Sequence, residues 1–185
     1  MGALIGWPNL LGVKFEPGLS ESEIDGIEKM YKIKFPIDYR LLLSKSLPVS
    51  DGFPNWRLTT EENQIEIKKR IDFPESAIIW DIKNNEFWPK VWGKLPNDVI
   101  DRVNIFKRFM EKAPKLIPVY SHRYIPSPPY EAGNPIISVY GSDMIFYGED
   151  IDQYFQNEFG KKNMVDYRKI KEIPFWSALV YENDL

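Results

Sequence analysis

The sequence contains no cysteine and a single histidine, His122. The absence of cysteine excludes structural disulfides, thiolate zinc sites and cysteine nucleophiles. One imidazole without any thiolate offers too few of the ligands that transition metals prefer, so we expect no metal and no cofactor. A chain without cysteine is also typical of the reducing cytosol, and we expect a cytoplasmic location.

Long apolar runs and a basic surface are also missing. No apolar stretch approaches the roughly 18 residues that a membrane span needs. The apolar start, residues 1–7, has no basic region and soon reaches Pro8, so it lacks the pattern of a signal peptide. A net charge of −3 argues against nucleic-acid binding, which normally requires a basic stripe. We therefore expect a soluble protein that binds neither membranes nor nucleic acid, and whose acidic surface suits a basic partner.

The clearest structural signal lies in the second half of the chain. Residues 116–120 form an apolar run that predicts a strand, followed by a polar, proline-rich loop over residues 121–134. Two β-branched and aromatic runs, residues 135–140 and 143–147, are separated only by Gly141 and Ser142, which predicts a two-residue hairpin. Asp150 then precedes an amphipathic helix that ends at Gly160.

The first half of the chain is predicted to be mainly helical. Ser20 and Glu23 have the spacing of a capping box, and Leu19 and Ile24 that of a hydrophobic staple, so a helix should begin there. Further helices are predicted after Pro36, over residues 59–71, between Pro96 and Pro114, and over residues 173–180. Residues 56–58 and 77–81 are predicted strands. We expect Trp80 and Phe155 to be buried.

These elements predict one α+β domain over residues 1–185, with a mainly antiparallel sheet packed against several helices. Aromatic residues make up 15% of the chain, so large side chains can fill the core.

Candidate catalytic or metal-binding groups have simpler structural explanations. His122 would need an orienting carboxylate to act as a general base, and the alternative is a loop histidine bonded to its own backbone. Four carboxylates near the last hairpin lack the spacing of a calcium-binding EF-hand: Asp143, Glu149, Asp150 and Asp152. Asp150 and Asp152 are explained as a helix cap and a first-turn charge. No Gly-rich phosphate loop or nucleophile-elbow motif occurs. We therefore predict no catalytic residue and no metal site.

Two groups of aromatic residues are candidates for recognition. Trp80, Trp88 and Trp92 lie close together, either as core residues or as an exposed row that stacks on a sugar, a base or a partner side chain. The predicted loop after residue 120 is stiffened by three prolines, which lowers the entropy lost on binding. It is either an ordinary crossover or a partner-binding element, and as the latter it would act through Arg123, Tyr124, Tyr130 and Glu131.

Two sets of motifs resemble the SUKH superfamily and, within it, the Smi/Knr-type proteins related to cell-wall-synthesis regulators. The first set begins in the capped helix and reads Glu23-Ile24, Ile27-Glu28, Phe35-Pro36 and Asp38-Tyr39. The second set covers residues 118–126, 133–135, 138–140 and 143–148. Together the motifs span most of residues 19–159. The family often has leucine before the first proline, where this chain has Phe35.

The resemblance implies a SUKH-like fold and a protein-binding function. Most bacterial members of the superfamily are regarded as immunity proteins that neutralise polymorphic toxins, so a cognate toxin is the expected partner. Two alternatives remain open. One is a regulatory adaptor, as in the fungal members. The other is a small hydrolase or ligand-binding domain that uses His122, Arg123 and the tryptophans.

Overall fold

Two antiparallel sheets organise the computed structural model, which describes residues 12–160 and 163–183. The smaller sheet pairs β1 (Phe15–Pro17) with β2 (Ser46–Pro48). The larger sheet is a meander of β3 (Lys115–Tyr120), β4 (Arg123–Ser127), β5 (Ile136–Tyr140) and β6 (Asp143–Gly148). The apolar start over residues 1–7 lies outside the described residues.

The described part of the chain forms six α-helices: α1 (Glu21–Tyr31), α2 (Ile37–Lys45), α3 (Glu61–Asn84), α4 (Val99–Met110), α5 (Ile151–Phe159) and α6 (Trp176–Asn183). Two short 3₁₀ turns cover Lys90–Trp92 and Tyr167–Lys169. The predicted α+β class, with antiparallel sheets packed against helices, is confirmed. Among these helices, none combines the length and the apolar character that a membrane crossing requires.

The predicted start of α1 is confirmed. Ser20 Oγ accepts a hydrogen bond from the Glu23 backbone N–H at 3.3 Å, and the Glu23 carboxylate accepts one from the Ser20 backbone N–H at 2.7 Å. These bonds satisfy two N–H groups that have no partner within the helix. The Ser20 backbone N–H and then the Arg57 guanidinium stabilise the carboxylate, which lowers the pKa of Glu23 to about 2.

The predicted hairpin and the helix after it are also confirmed. Tyr140 pairs with Asp143, so Gly141 and Ser142 form a two-residue turn, and Gly141 has a φ of +66° that favours glycine. The Asp150 side chain caps α5 by accepting a hydrogen bond from the Gln153 N–H at 2.8 Å. Phe155 is buried, as expected.

The predicted strand over residues 56–58 is wrong. Trp56 and Arg57 form a turn, and their side chains bond to the N-terminal part of the chain. Trp56 is buried and donates its indole N–H to the Tyr39 hydroxyl at 3.3 Å. Arg57 donates to the backbone carbonyls of Pro17 and Gly18 at 2.8 and 2.9 Å.

The predictions for α3 are correct at its start and wrong at its end. Thr60 caps the helix, but α3 continues to Asn84, so the predicted stop at residue 71 and the strand over residues 77–81 do not exist. A proline inside a helix usually ends or kinks it, because it has no N–H for the carbonyl four residues earlier. Here that carbonyl belongs to Arg70, and the Tyr124 hydroxyl donates to it at 3.1 Å. A side chain from β4 thus replaces the bond that Pro74 cannot make.

The face of α3 that enters the core continues through the proline. Its buried apolar residues keep helical spacing: Ile67, Pro74, Ile78 and Ile82. Trp80 lies outside this stripe and is 57% exposed. The prediction that Trp80 is buried is therefore wrong.

The predicted loop over residues 121–134 is wrong for its first part. Only Ser121 and His122 separate β3 from β4, and residues 123–127 pair with β3 in an antiparallel register. Ile125 and Pro126 are buried in the sheet. The irregular segment is limited to residues 128–135.

Both faces of the larger sheet are covered by helices. One core contains residues of α1, α2 and α5 with one face of the sheet, which contributes Ile117, Val119, Ile125 and Ile136. The other contains residues of α4 and α6 with the opposite face, which contributes Leu116, Tyr124, Ile137, Val139, Met144 and Phe146. Helix α3 reaches both cores, through Ile67 and Ile78 respectively. This double burial explains why the strands read as nearly continuous apolar runs.

Candidate functional site

The four predicted partner-binding residues do not form one surface. Arg123 lies in β4, and its side chain is only 12% exposed. Its guanidinium donates to Ser138 Oγ at 3.0 Å, stacks over the Tyr147 ring at 4.1 Å and lies 3.6 Å from a Glu158 oxygen. Arg123 therefore joins β4 to β5, β6 and α5.

Tyr124 is almost fully buried, with 1% of its surface exposed. Its ring belongs to the core between the sheet and α6, and its hydroxyl is bonded to α3. Burial raises the pKa of the Tyr124 phenol, so it stays protonated and remains a donor. The prediction that Arg123 and Tyr124 lie on a loop is wrong, because both belong to β4, and their binding role stays an untested prediction.

Tyr130 and Glu131 are exposed on the loop that follows β4. Buried Asn134 fixes this loop by donating to the carbonyls of Pro126 and Pro129 at 3.0 and 2.6 Å. The Lys34 ammonium lies 4.9 Å from the centre of the Tyr130 ring. These two predicted residues are accessible, but they lie at the opposite end of β4 from His122.

A concave surface lies between α3 and the turn that joins β5 to β6. This surface, which we call the aromatic groove, has a volume of about 650 Å³ and is lined by Phe73, Ser76, Ala77, Trp80, Asp81, Asn85, Tyr140, Gly141, Ser142 and Asp143. Trp80 is 57% exposed and Tyr140 is 71% exposed. The groove therefore has an exposed aromatic side chain on each of its two walls.

Asp81 holds the two walls of the aromatic groove together. One carboxylate oxygen accepts from the Ser142 backbone N–H at 2.5 Å, and the other from the Asn85 side-chain amide at 2.6 Å. A methyl group on Gly141 would lie 2.3 Å from the first oxygen, so only glycine permits this approach. The turn that follows Tyr140 is thereby held against the helix that carries Trp80.

His122 lies beside the aromatic groove. Its ring centre is 6.1 Å from that of Tyr140, and its Nδ1 is 3.1 Å from Ser121 Oγ. Burial lowers the pKa of His122, the Arg123 guanidinium adds to this effect, and Asp143 acts in the opposite direction. The imidazole is therefore neutral at pH 7. Within the part of the chain that the structure describes, no carboxylate is hydrogen-bonded to it.

The three neighbouring tryptophans do not form a row. Trp92 is buried and stacks on Phe109 and Phe175, with ring centres 5.9 and 6.1 Å apart. Trp88 is half-buried and donates its indole N–H to the Gly93 carbonyl at 3.0 Å. Of the three, Trp80 lines the aromatic groove.

The carboxylates near the last hairpin have separate structural roles. Asp150 caps α5, and Glu149 accepts from the Asp166 backbone N–H at 2.9 Å. Burial, together with the carboxylates of Asp150 and Asp38, raises the pKa of Asp152 to about 6. In residues 12–160 and 163–183, no cluster of three or more histidine or acidic side chains is arranged to hold a metal ion.

The aromatic groove was not predicted from the sequence, because the helix was expected to end at residue 71 and a strand was expected over residues 77–81. The signal was nevertheless present, since an apolar residue recurs every three or four positions from Ile67 to Ile82. If residues 67–82 form one helix, Trp80 does not lie on its apolar face. The sequence also predicted that Tyr140 ends a strand directly before a two-residue turn.

These features define an α+β protein with an exposed aromatic groove between a long helix and the turn that joins β5 to β6. Comparisons of the chain with protein-family models, curated proteins and solved structures gave no match. Membership of the SUKH superfamily therefore remains a hypothesis based on the resemblance.

Proposed function

We propose that this chain is a non-catalytic protein-binding domain that uses the aromatic groove to contact its partner. The observation that carries the proposal is the exposure of Trp80 and Tyr140 on rigid, facing elements. Tryptophan and tyrosine are enriched among the residues that dominate interface energies, because each buries a large area at low entropic cost. Exposed apolar side chains that line one groove form a contiguous patch, and such patches are typical of interaction sites.

The arrangement around the only histidine supports a non-catalytic role. His122 is positioned by an adjacent serine, and no described carboxylate orients its ring. General-base catalysis at neutral pH usually requires an orienting partner and a pKa near 7, whereas burial lowers the pKa of His122.

The partner that we propose is a cognate toxin, which this chain would neutralise by direct binding in the cytoplasm. The support for this step is the resemblance of residues 19–159 to the SUKH immunity proteins, together with the mildly acidic charge of −3. Direct binding would inhibit the toxin by covering its active site.

The test is a titration of the protein against the toxin domain encoded by a neighbouring gene, with a survival assay in cells that express the toxin. We expect Trp80→Ala and Tyr140→Ala each to weaken binding at least about tenfold without lowering the melting temperature. Tyr130→Ala is the matched control, because Tyr130 is an exposed tyrosine outside the groove.

Three other outcomes contradict the proposal in different ways. A loss of affinity in Tyr130→Ala alone would place the contact on the loop after β4. Full protection by both groove variants would exclude the groove. Altered cell-wall synthesis in cells without the protein, with no toxin binding, would favour the regulatory adaptor.

A further inference from the structure

The charge of the aromatic groove indicates what kind of group it accepts. Its only charged lining residues, among those that the structure describes, are Asp81 and Asp143. Asp81 is buried and fixed by two hydrogen bonds at the base, whereas Asp143 is exposed at the mouth. The groove therefore presents negative charge without any lining lysine or arginine to balance it.

Three neighbouring basic side chains do not balance this charge, and Lys69, which is exposed in the adjoining depression, does not line the groove. His122, at the edge of the groove, is neutral at pH 7 because burial lowers its pKa. Arg70 lies in the adjoining depression, but its guanidinium donates to the Gly52 carbonyl at 2.7 Å and pairs with Glu66 at 3.1 Å. Arg123 is enclosed between Tyr147, Ser138 and Glu158.

The aromatic rings also favour a positively charged group in the groove. The face of an indole or phenol ring carries negative electrostatic potential and attracts cations. Trp80 stands on α3 and Tyr140 on β5, and both residues line the same groove as Asp143. A planar guanidinium can stack on a ring and donate to a carboxylate at once, which an ammonium does less well.

We infer that the aromatic groove binds an arginine side chain that a basic segment of the partner inserts between Trp80 and Tyr140. This inference rests on the proposed protein-binding function and specifies the chemistry of the partner. An arginine fits the excess negative charge of the lining, whereas an acidic or purely apolar segment would leave Asp143 unpaired.

The test uses two capped peptides, acetyl-Gly-Arg-Arg-Gly-amide and the same peptide with citrulline in place of arginine. Citrulline keeps the shape of arginine and removes its charge. Binding to the whole protein is followed at low salt by NMR, with the Trp80 indole resonance assigned from the Trp80→Ala spectrum. We expect the arginine peptide to shift this resonance and the citrulline peptide to bind at least about threefold more weakly.

Two variants extend the test. Asp143→Asn, which removes the exposed charge, should weaken the arginine peptide about twofold to fivefold, and Trp80→Ala should remove binding at this site. Tyr130→Ala should leave the affinity unchanged, because Tyr130 lies outside the groove.

Equal binding of the two peptides, or no effect of Asp143→Asn, would overturn the inference. The result also separates this inference from the proposed function. If the toxin binds through Trp80 while the arginine peptide does not, the groove is an interface and its specificity for arginine is wrong. If the arginine peptide binds while the toxin does not, the chemistry of the groove stands and the identity of the partner is wrong.

Discussion

The hydroxyl of Tyr124 fills a gap that Pro74 creates in the backbone of α3. The Arg70 carbonyl has no helical donor because Pro74 lacks an N–H, and Tyr124 Oη donates to it at 3.1 Å. An unsatisfied carbonyl in a largely buried position costs free energy comparable to a lost hydrogen bond. This single bond allows a long helix to continue where the local sequence predicts its end.

We predict that Tyr124→Phe lowers the free energy of unfolding by about 1–2 kcal/mol, because it leaves the Arg70 carbonyl unpaired. Tyr130→Phe, at an exposed tyrosine, should have almost no effect. Urea denaturation measures both. In a Pro74→Ala background the alanine N–H can donate to Arg70, so the effect of Tyr124→Phe should shrink. An equal loss in both backgrounds would show that the bond does not compensate for the proline.

Asp152 is the residue whose ionisation should oppose folding most clearly. Burial and the carboxylates of Asp150 and Asp38 raise its pKa from 3.8 to about 6. Between these two pH values the folded state binds more protons than the unfolded state, so this group makes stability fall as pH rises. At pH 7 its charge is destabilising.

We therefore predict that Asp152→Asn raises the free energy of unfolding at pH 7, and that the gain disappears below about pH 4. Asp101→Asn is the control, because Asp101 is an exposed aspartate in the first turn of α4. It should lose a favourable interaction with the helix dipole and gain nothing. Denaturation curves from pH 3 to 8 provide the comparison. A gain for Asp152→Asn that is independent of pH would refute the electrostatic explanation.

At the scale of elements, the turn between β5 and β6 is built onto α3. Gly141 combines a positive φ of +66° with a close approach to Asp81, where an added Cβ would lie 2.3 Å from a carboxylate oxygen. Gly133 has a similar φ of +77° but open space around its Cα. Alanine at Gly133 would introduce backbone strain alone, whereas alanine at Gly141 would introduce backbone strain and a clash with Asp81.

We predict that Gly133→Ala costs about 1–2 kcal/mol of stability, the penalty for an L-residue in the left-handed region. Gly141→Ala should cost more, because the turn must also move away from Asp81. Urea denaturation gives both values, and the Trp80 indole resonance reports whether the groove has changed. If the two variants lose the same stability, the contact with Asp81 does not position the turn.

At the scale of the whole molecule, the two cores share one sheet. Strand β4, for example, contributes Ile125 to the core with α1, α2 and α5, and Tyr124 to the core with α4 and α6. Removing the helices from one face would expose the backbone and side chains that support the other face. The cores should therefore unfold together.

We predict a single unfolding transition with the same urea midpoint at Trp56, in one core, and at Trp176, in the other. Fluorotryptophan labelling and fluorine NMR can follow both positions, with assignments from single Trp→Phe variants. Two separate midpoints would show that the chain contains two independently stable units.

Features formed by neighbouring residues could be predicted from the sequence alone. The capping box of Ser20 and Glu23, the Asp150 cap and the Gly141–Ser142 turn depend on groups within about four residues of each other. Such interactions are decided by local backbone geometry, so the residue types at fixed spacing are sufficient. The α+β class followed from these signals.

The candidate site was decided by tertiary contacts between distant parts of the chain. The Tyr124 hydroxyl reaches a carbonyl 54 residues earlier and lets α3 continue, which makes Trp80 a surface residue instead of part of a strand. Asp81 binds the backbone of a turn 61 residues later and completes the aromatic groove. A proline or an aspartate has the same local preferences whether or not such a partner exists. The sequence by itself therefore determined where most helices and turns begin, and only packing determined which aromatic residues remained at the surface.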